Sequence, residues 1–385
     1  MQLRSNLHLA YCTNIHRGDD WPQTLTSLET HTLAVRKRVG SGKPYAIGLR
    51  LSDLASRQLS EPATLDAFRE WLNRHDCYVF TINGFPYGQF HGTKVKEGVY
   101  LPDWTSPDRL AYTNRLFDLL AQLAPEGIEG SVSTLPGSFK DFITTDEQKR
   151  AIRGNLWRAI EHIDRTEQRC GRRLHLGVEP EPLGLFETSA ETVRFFREME
   201  AERPGDSRLK RYLGVNYDTC HLAVEYEQPA DVVAAFQREG IRISKIHLSS
   251  ALQVVPDEPA RAWLHQFSED TYLHQVVART AGGTLRFDRD LDRALIQPPG
   301  DLEWRIHFHV PLHASKLTHG RTTASHLLGL LDLLAKNPAL CSHLEMETYT
   351  WEVLPAELRA TNVVDQLVRE YEWTLAELSR RGLTD

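Results

Sequence analysis

The chain has 385 residues, 41% hydrophobic and 25% charged, an ordinary globular composition with enough apolar surface for a large core and no basis for disorder. A formal net charge of −7 supplies no field to gather a polyanion, which disfavours nucleic acid and makes a small molecule the expected partner. No apolar run reaches the length of a membrane span, Met1–Ala10 lacks the layout of a secretory signal, and the five cysteines are scattered without a CxxC pair, so a cytoplasmic protein with reduced thiols and no membrane contact is expected.

Eight short apolar runs read as buried strands: Leu7–Thr13, Tyr45–Leu51, Cys77–Ile82, Gly130–Thr134, Leu174–Glu179, Tyr212–Tyr217, Ile243–Leu248 and His343–Glu347. Helical periodicity follows each. Ser106-Pro107 pairs a capping hydroxyl with a proline at the first helical position, ahead of Leu116, Leu119, Leu120 and Leu123 on one face, and a last helix is expected from about Asn362 to Arg380. Strands that must be covered on both faces, alternating with helices, imply an α/β fold closed as a parallel (β/α)8 TIM barrel. Roughly 95 residues separate the seventh and eighth strands, far more than a βα loop needs. An insertion at about 252–320 is expected, with Thr284–Leu295 and Glu303–His309 flanking the Pro298-Pro299-Gly300 turn as an extended pair; Thr322–Ala335 then resumes the barrel. No repeat or linker divides the chain, which reads as one domain over 1–385.

Reactive groups of such a barrel collect at the C-terminal ends of its strands. Strand five ends in Glu179, strand six in Asp218-Thr219-Cys220-His221, strand seven in His247 and strand eight in Glu345-Met346-Glu347. Carboxylates and an imidazole on one rim suit a divalent cation such as Mn²⁺, Mg²⁺, Zn²⁺, Co²⁺ or Fe²⁺, whose charge offsets their mutual repulsion. For substrate, Asn14 and His16 end strand one, Arg50 ends strand two, and Lys94 or Lys96 lies beside His91; Phe85, Tyr349 and Trp351 supply an apolar wall. Alternation sends His307 and His309 to opposite faces. Asp288, Asp290 and Asp292 read as a solvated strand face, and with no glycine-rich phosphate loop no nucleotide cofactor is expected.

Glu179, the D-x-x-H element at Asp218–His221, His247 and a glutamate on the last strand resemble the xylose isomerase-like TIM-barrel superfamily, over nearly the whole chain. Tyr11–His16, His91–Pro102, His307–Pro311 and Glu347–Trp351 are similar to its bacterial subgroup called metabolite traffic protein EboE, a label that names no reaction. The resemblance implies Glu179, Asp218, His247 and Glu347 as ligands of one metal, with Glu345 the rival of Glu347, its neighbour on the same strand face. It also implies Glu179 and Glu347 as acid and base in an isomerase or epimerase acting on a sugar or cyclitol, with or without a phosphate. The superfamily's epimerases carry a second glutamate a few residues past the strand-five ligand, where this chain reads Pro182-Leu183-Gly184-Leu185-Phe186. Endonuclease IV-type sites hold further metals on residues comparable to His91, His221 and His309, which leaves a multinuclear metal-dependent hydrolase as the alternative and a non-catalytic binding barrel as a third reading; in the first reading His221 contacts substrate.

Overall fold

The structure, a computed structural model, describes residues 1–40, 42–314 and 316–384. Its strands, in chain order, are β1 (His8–Tyr11), β2 (Tyr45–Arg50), β3 (Cys77–Asn83), β4 (Gly130–Thr134), β5 (Leu174–Val178), β6 (Leu213–Asp218), β7 (Arg242–Leu248), β8 (Leu252–Val254), β9 (Val276–Arg279), β10 (Leu285–Asp288), β11 (Glu303–Ile306), β12 (Arg321–Thr322) and β13 (His343–Met346). Eight form one parallel sheet in the order β1-β13-β7-β6-β5-β4-β3-β2, and a parallel bridge from Cys12 to Gly48 brings its two edges together. This is the expected (β/α)8 barrel, and all eight strands fall where the apolar runs put them.

Burial on both faces is why those runs are continuous and not alternating: every residue of β1 to β6 and of β13 is buried. The covering helices carry the start and stop signals their sequences advertise. Ser106 Oγ accepts from Asp108 N ahead of the helix Pro107–Leu123. Thr145 and Gln148 form a capping box on Asp146–Cys170, which ends at Gly171 with φ 70°, a left-handed position that glycine takes without penalty. Asn362 caps the last helix, Val363–Arg380. Among the described residues no helix is long and apolar enough to cross a membrane.

Between β7 and β13 the chain builds a second, five-stranded sheet in the order β10-β9-β11-β8-β12, all of its pairs antiparallel. Thr284–Leu295 does not pair with Glu303–His309, because β9 lies between them. A tight turn, with Gly283 N donating to Thr280 O at 2.9 Å and Gly283 at φ 80°, folds β10 back onto β9, and the helix Leu291–Leu295 then carries the chain round to β11. The sheet has its own core, with Trp304, Ile306, Phe308, Phe267 and Leu252 at its centre. Of the aspartate run only Asp292 is exposed as expected: Asp288 is buried between Arg286 and Gln297, and Asp290 caps the helix Leu291–Leu295 and binds Lys96 Nζ at 2.6 Å.

Candidate metal centre

Pairing between strands sets the site's floor. Asp218 is opposite His247 in the β6–β7 register, and His247 is opposite Glu345 in β7–β13. Glu179 follows β5, its N–H still bonded to Thr134 O at 3.0 Å, after which Pro180 and Pro182 have no N–H to continue a ladder. Glu347 follows β13 with its N–H on Leu248 O at 3.0 Å. One donor atom each from Glu179, Asp218, His247 and Glu347 lies within 4.8 Å of the others, and none of the four residues is more than 5% exposed.

His247 Nδ1 stands 3.0 Å from Glu179 Oε1, 3.0 Å from Glu347 Oε2 and 3.5 Å from Asp218 Oδ2. Two donors bonded to one ion at about 2.1 Å are themselves roughly 3.0 to 3.4 Å apart in octahedral or tetrahedral geometry, so the spacing fits a shared divalent cation. The hydrogen bonding agrees. Asp218 Oδ1 accepts from Cys220 N at 2.7 Å, His221 N at 3.1 Å and Ser249 Oγ at 2.6 Å, whereas Asp218 Oδ2 and Glu179 Oε2 are buried without a partner. Orphaned carboxylate oxygens in a buried site are expensive unless a cation satisfies them. Burial pushes the Asp218 carboxyl up, but His221, His309 and His247 outweigh it and hold it well below its usual range. Burial lowers His247, and Glu347 and Glu179 more than reverse this.

Glu345 lies below the four donors. Its Oε2 accepts from Lys245 Nζ at 2.5 Å and from His247 Nε2 at 2.9 Å. Burial raises its carboxyl, but Lys245 and His247 prevail and bring it down to about 2. Of the two glutamates on this strand end, Glu347 joins the four-donor group and Glu345 braces it from beneath.

Above the group, three histidines converge. The Nδ1 atoms of His221, His307 and His309 each lie against a carbonyl oxygen: Pro180 O at 3.1 Å, Gln275 Oε1 at 2.7 Å and Glu347 O at 2.9 Å. The Gln275 amide is itself oriented by donating to Pro182 O at 2.9 Å. Carbonyls only accept, so the ring protons sit on Nδ1 and the Nε2 lone pairs are free; those of His307 and His309 are 3.3 Å apart. Asp218, His221 and His309 form one potential ligand group, and Glu181, His221 and His307 another. The expectation that His307 and His309 face opposite ways fails because the β11 ladder stops at Ile306. Phe308 N then bonds Ile306 O at 2.8 Å, a local reversal with no strand alternation.

Other predicted residues lie elsewhere. His91 is not in the histidine cluster: its Nε2 donates to Asn14 O and its Nδ1 accepts from Tyr272 OH at 2.6 Å, leaving no lone pair for a metal. His16 is buried, bonded to Tyr11 OH at 2.9 Å and stacked on His31. Arg50 is turned to the carbonyls of Gly18, Pro86 and Gly88, and Lys94 is exposed beside a separate outer groove. Asn14 is at the centre, where Asn14 Nδ2 and Asn83 Nδ2 donate to Glu347 Oε1 at 2.8 and 3.1 Å.

The cavity over the site, about 60 Å³ and roughly the room of several waters, is lined by residues that sequence reasoning passed over. Glu181 is chief among them. It accepts from Tyr100 OH at 2.7 Å, and burial pushes its carboxyl well above the usual range. Gln275 and Tyr272 also line the cavity, as does Lys96, one of the two lysines expected near substrate. Phe85 and Tyr349 do so as expected, whereas Trp351 does not; Phe90, Tyr272 and Tyr349 form a ring cluster with centroids 5.1 to 5.2 Å apart.

Barrel and rim together define a parallel (β/α)8 barrel with a group of potential metal ligands where its strands end. Among solved structures the chain is similar to an L-ribulose 3-epimerase (13% identity, 99% of this chain and 96% of the other, TM-score 0.52) and to a D-tagatose 3-epimerase-like protein (11% identity, 97% and 98%, TM-score 0.51). No family model matches the chain, and neither does any curated protein.

Proposed function

We propose that this chain is a metal-dependent isomerase or epimerase that moves a proton on a polyhydroxylated small molecule, a sugar or cyclitol, with Glu179, Asp218, His247 and Glu347 holding the ion. The observation that carries this is the four-donor group with its two orphaned carboxylate oxygens. When bound, the cation supplies polarisation of a carbonyl and a hold on neighbouring oxygens. The protein does the rest. Asn14 and Asn83 fix the Glu347 carboxylate, Glu179 and Glu347 flank the ion as base and acid, and Glu181, whose burial favours its protonated form, is the further acid on the wall. The similarity to two epimerase folds is compatible with this chemistry. The EboE-like segments belong to the same reading: Asn14, Tyr100, His307, Glu347 and Tyr349, drawn from all four, line the one cavity.

The substrate is read as uncharged. Three glutamates line the cavity against one lysine, and that Lys96 ammonium is already bonded to Asp290 and to Glu269 O. The aromatic side chains give a flat wall for the carbon face of a ring.

The three free Nε2 atoms favour a second reading, a multinuclear hydrolase, because a further cation held there would clamp a phosphoester. One experiment separates the two. The Mn²⁺-, Co²⁺- or Zn²⁺-loaded protein is incubated in D₂O with a panel of unphosphorylated ketoses and cyclitol ketones. Deuterium entering carbon next to the carbonyl supports proton transfer; no exchange, with cleavage of bis(4-nitrophenyl) phosphate instead, overturns it in favour of hydrolysis.

A further inference from the structure

We propose that Lys245 and Glu345 act as positioning residues that lock His247 into use as an Nδ1 donor and thereby set the affinity of the centre for its ion. The inference rests on the metal reading above and adds to it a role for two buried charges that touch neither substrate nor ion.

The geometry begins with strand periodicity. Lys245 and His247 are two apart on β7, and Glu347, just past the end of β13, is two beyond Glu345, so each pair shares a face and points into the barrel. Register then sets Glu345 opposite His247. The upper member of each pair reaches the four-donor group, and the lower members meet one another beneath it. Lys245 is 1% exposed and Glu345 is fully buried, and a single carboxylate oxygen, Glu345 Oε2, accepts from both the ammonium and the ring.

A carboxylate offers no hydrogen, so the ring nitrogen facing it must carry one. That nitrogen is Nε2; Nδ1 faces Glu179, Asp218 and Glu347, where a bound cation would take the place of the ring proton, so Nδ1 is the nitrogen whose lone pair serves the ion. Carboxylates behind a metal-bound histidine work this way, fixing tautomer and ring plane. The lysine is what keeps the carboxylate there. Without it a fourth buried anion would stand beside three others with nothing to anchor it. The seat is shaped for this group as well: a Cβ on Gly48 would fall 2.0 Å from Glu345 Oε1 and 2.7 Å from Tyr11 O. Glycine at 48 thus clears the space the carboxylate fills.

A purely structural ion pair would support the fold and leave metal binding alone, so the test reads both. The full chain is stripped of metal and titrated with Co²⁺, following visible absorption and heat, for the unaltered protein, Lys245→Met, Glu345→Ala and the double variant Lys245→Met with Glu345→Gln. The double variant removes both charges but keeps an oxygen that accepts from Nε2, so it also stands in if a single variant does not fold. The lock predicts Co²⁺ dissociation constants raised about 10- to 100-fold in each single variant, with altered ligand-field bands, and recovery of most of the affinity in the double variant. Folded single variants that bind Co²⁺ with unaltered affinity and bands overturn the lock, as does a folded double variant no better than the singles. Failure of the unaltered chain to bind Co²⁺ is a different result, which overturns the metal reading itself and the lock with it.

Discussion

Replacing Glu370 with glutamine should stabilise the protein at neutral pH and leave it nearly unchanged in acid. Glu370 lies on the last helix, wholly buried, accepting from Thr348 Oγ1 at 2.8 Å and from Gln366 Nε2 at 2.9 Å. Burial is the largest influence on its carboxyl and raises it from 4.5 to about 7, against the pull of those hydrogen bonds. Between these values the folded chain keeps a proton that the unfolded chain has released, so stability falls as pH rises. The contribution is fully present below about pH 4.5 and is lost as pH passes through about 7. A gap of about 2.5 pH units corresponds to about 3 kcal/mol at pH 8. Glu370→Gln removes the titration, and the Thr348 hydroxyl can turn to accept from the new amide. Urea unfolding followed by circular dichroism at pH 4 to 8 should show the variant's advantage growing from near zero to about that magnitude. A difference that does not vary with pH, or a variant less stable at pH 8, refutes the reasoning.

Gly48→Ala should destabilise by about 1 to 3 kcal/mol through overpacking, because its Cβ meets Glu345 Oε1 at 2.0 Å; an unchanged urea midpoint contradicts this. Adding Mn²⁺, Co²⁺ or Zn²⁺ at about 100 times the dissociation constant should raise stability by about 2.7 kcal/mol, seen as a higher melting temperature that chelator reverses. His221→Ala should abolish any second equivalent of bound metal while sparing the first, as counted by titration, since His221 belongs to both further carboxylate–histidine ligand groups and not to the four-donor group.

The barrel was legible because burial on both faces writes a strand as an unbroken apolar run, as in Tyr45–Leu51 and Cys77–Ile82. The rim residues followed from where those runs end: Glu179, Asp218, His247 and Glu347 are each the last or next polar residue of a strand, and the structure gathers them at one end of the barrel. What escaped was set by local reversals and by partners distant in sequence. His307 and His309 look alternate until the ladder stops at Ile306. β9 was missed because Val276-Val277-Ala278 is a short run whose pairing depends on the turn at Gly282-Gly283. Glu181 stands between two prolines and reads as loop, and only the fold shows its carboxylate on the cavity. Arg50 looked like a substrate cation because nothing in its neighbourhood reveals that three loop carbonyls enclose it. Lys245 and Glu345 are about 100 residues apart, and a charge inside a barrel shows its partner only once strand order is known.

Metal content of the chain as purified, without added metals, tests the central claim most directly. Elemental analysis should find at least one equivalent of a divalent transition metal or Mg²⁺, and Asp218→Asn and His247→Ala, folded by circular dichroism, should lose it. A chain that carries no such ion and takes up none on titration, or variants that keep full occupancy, would contradict the account.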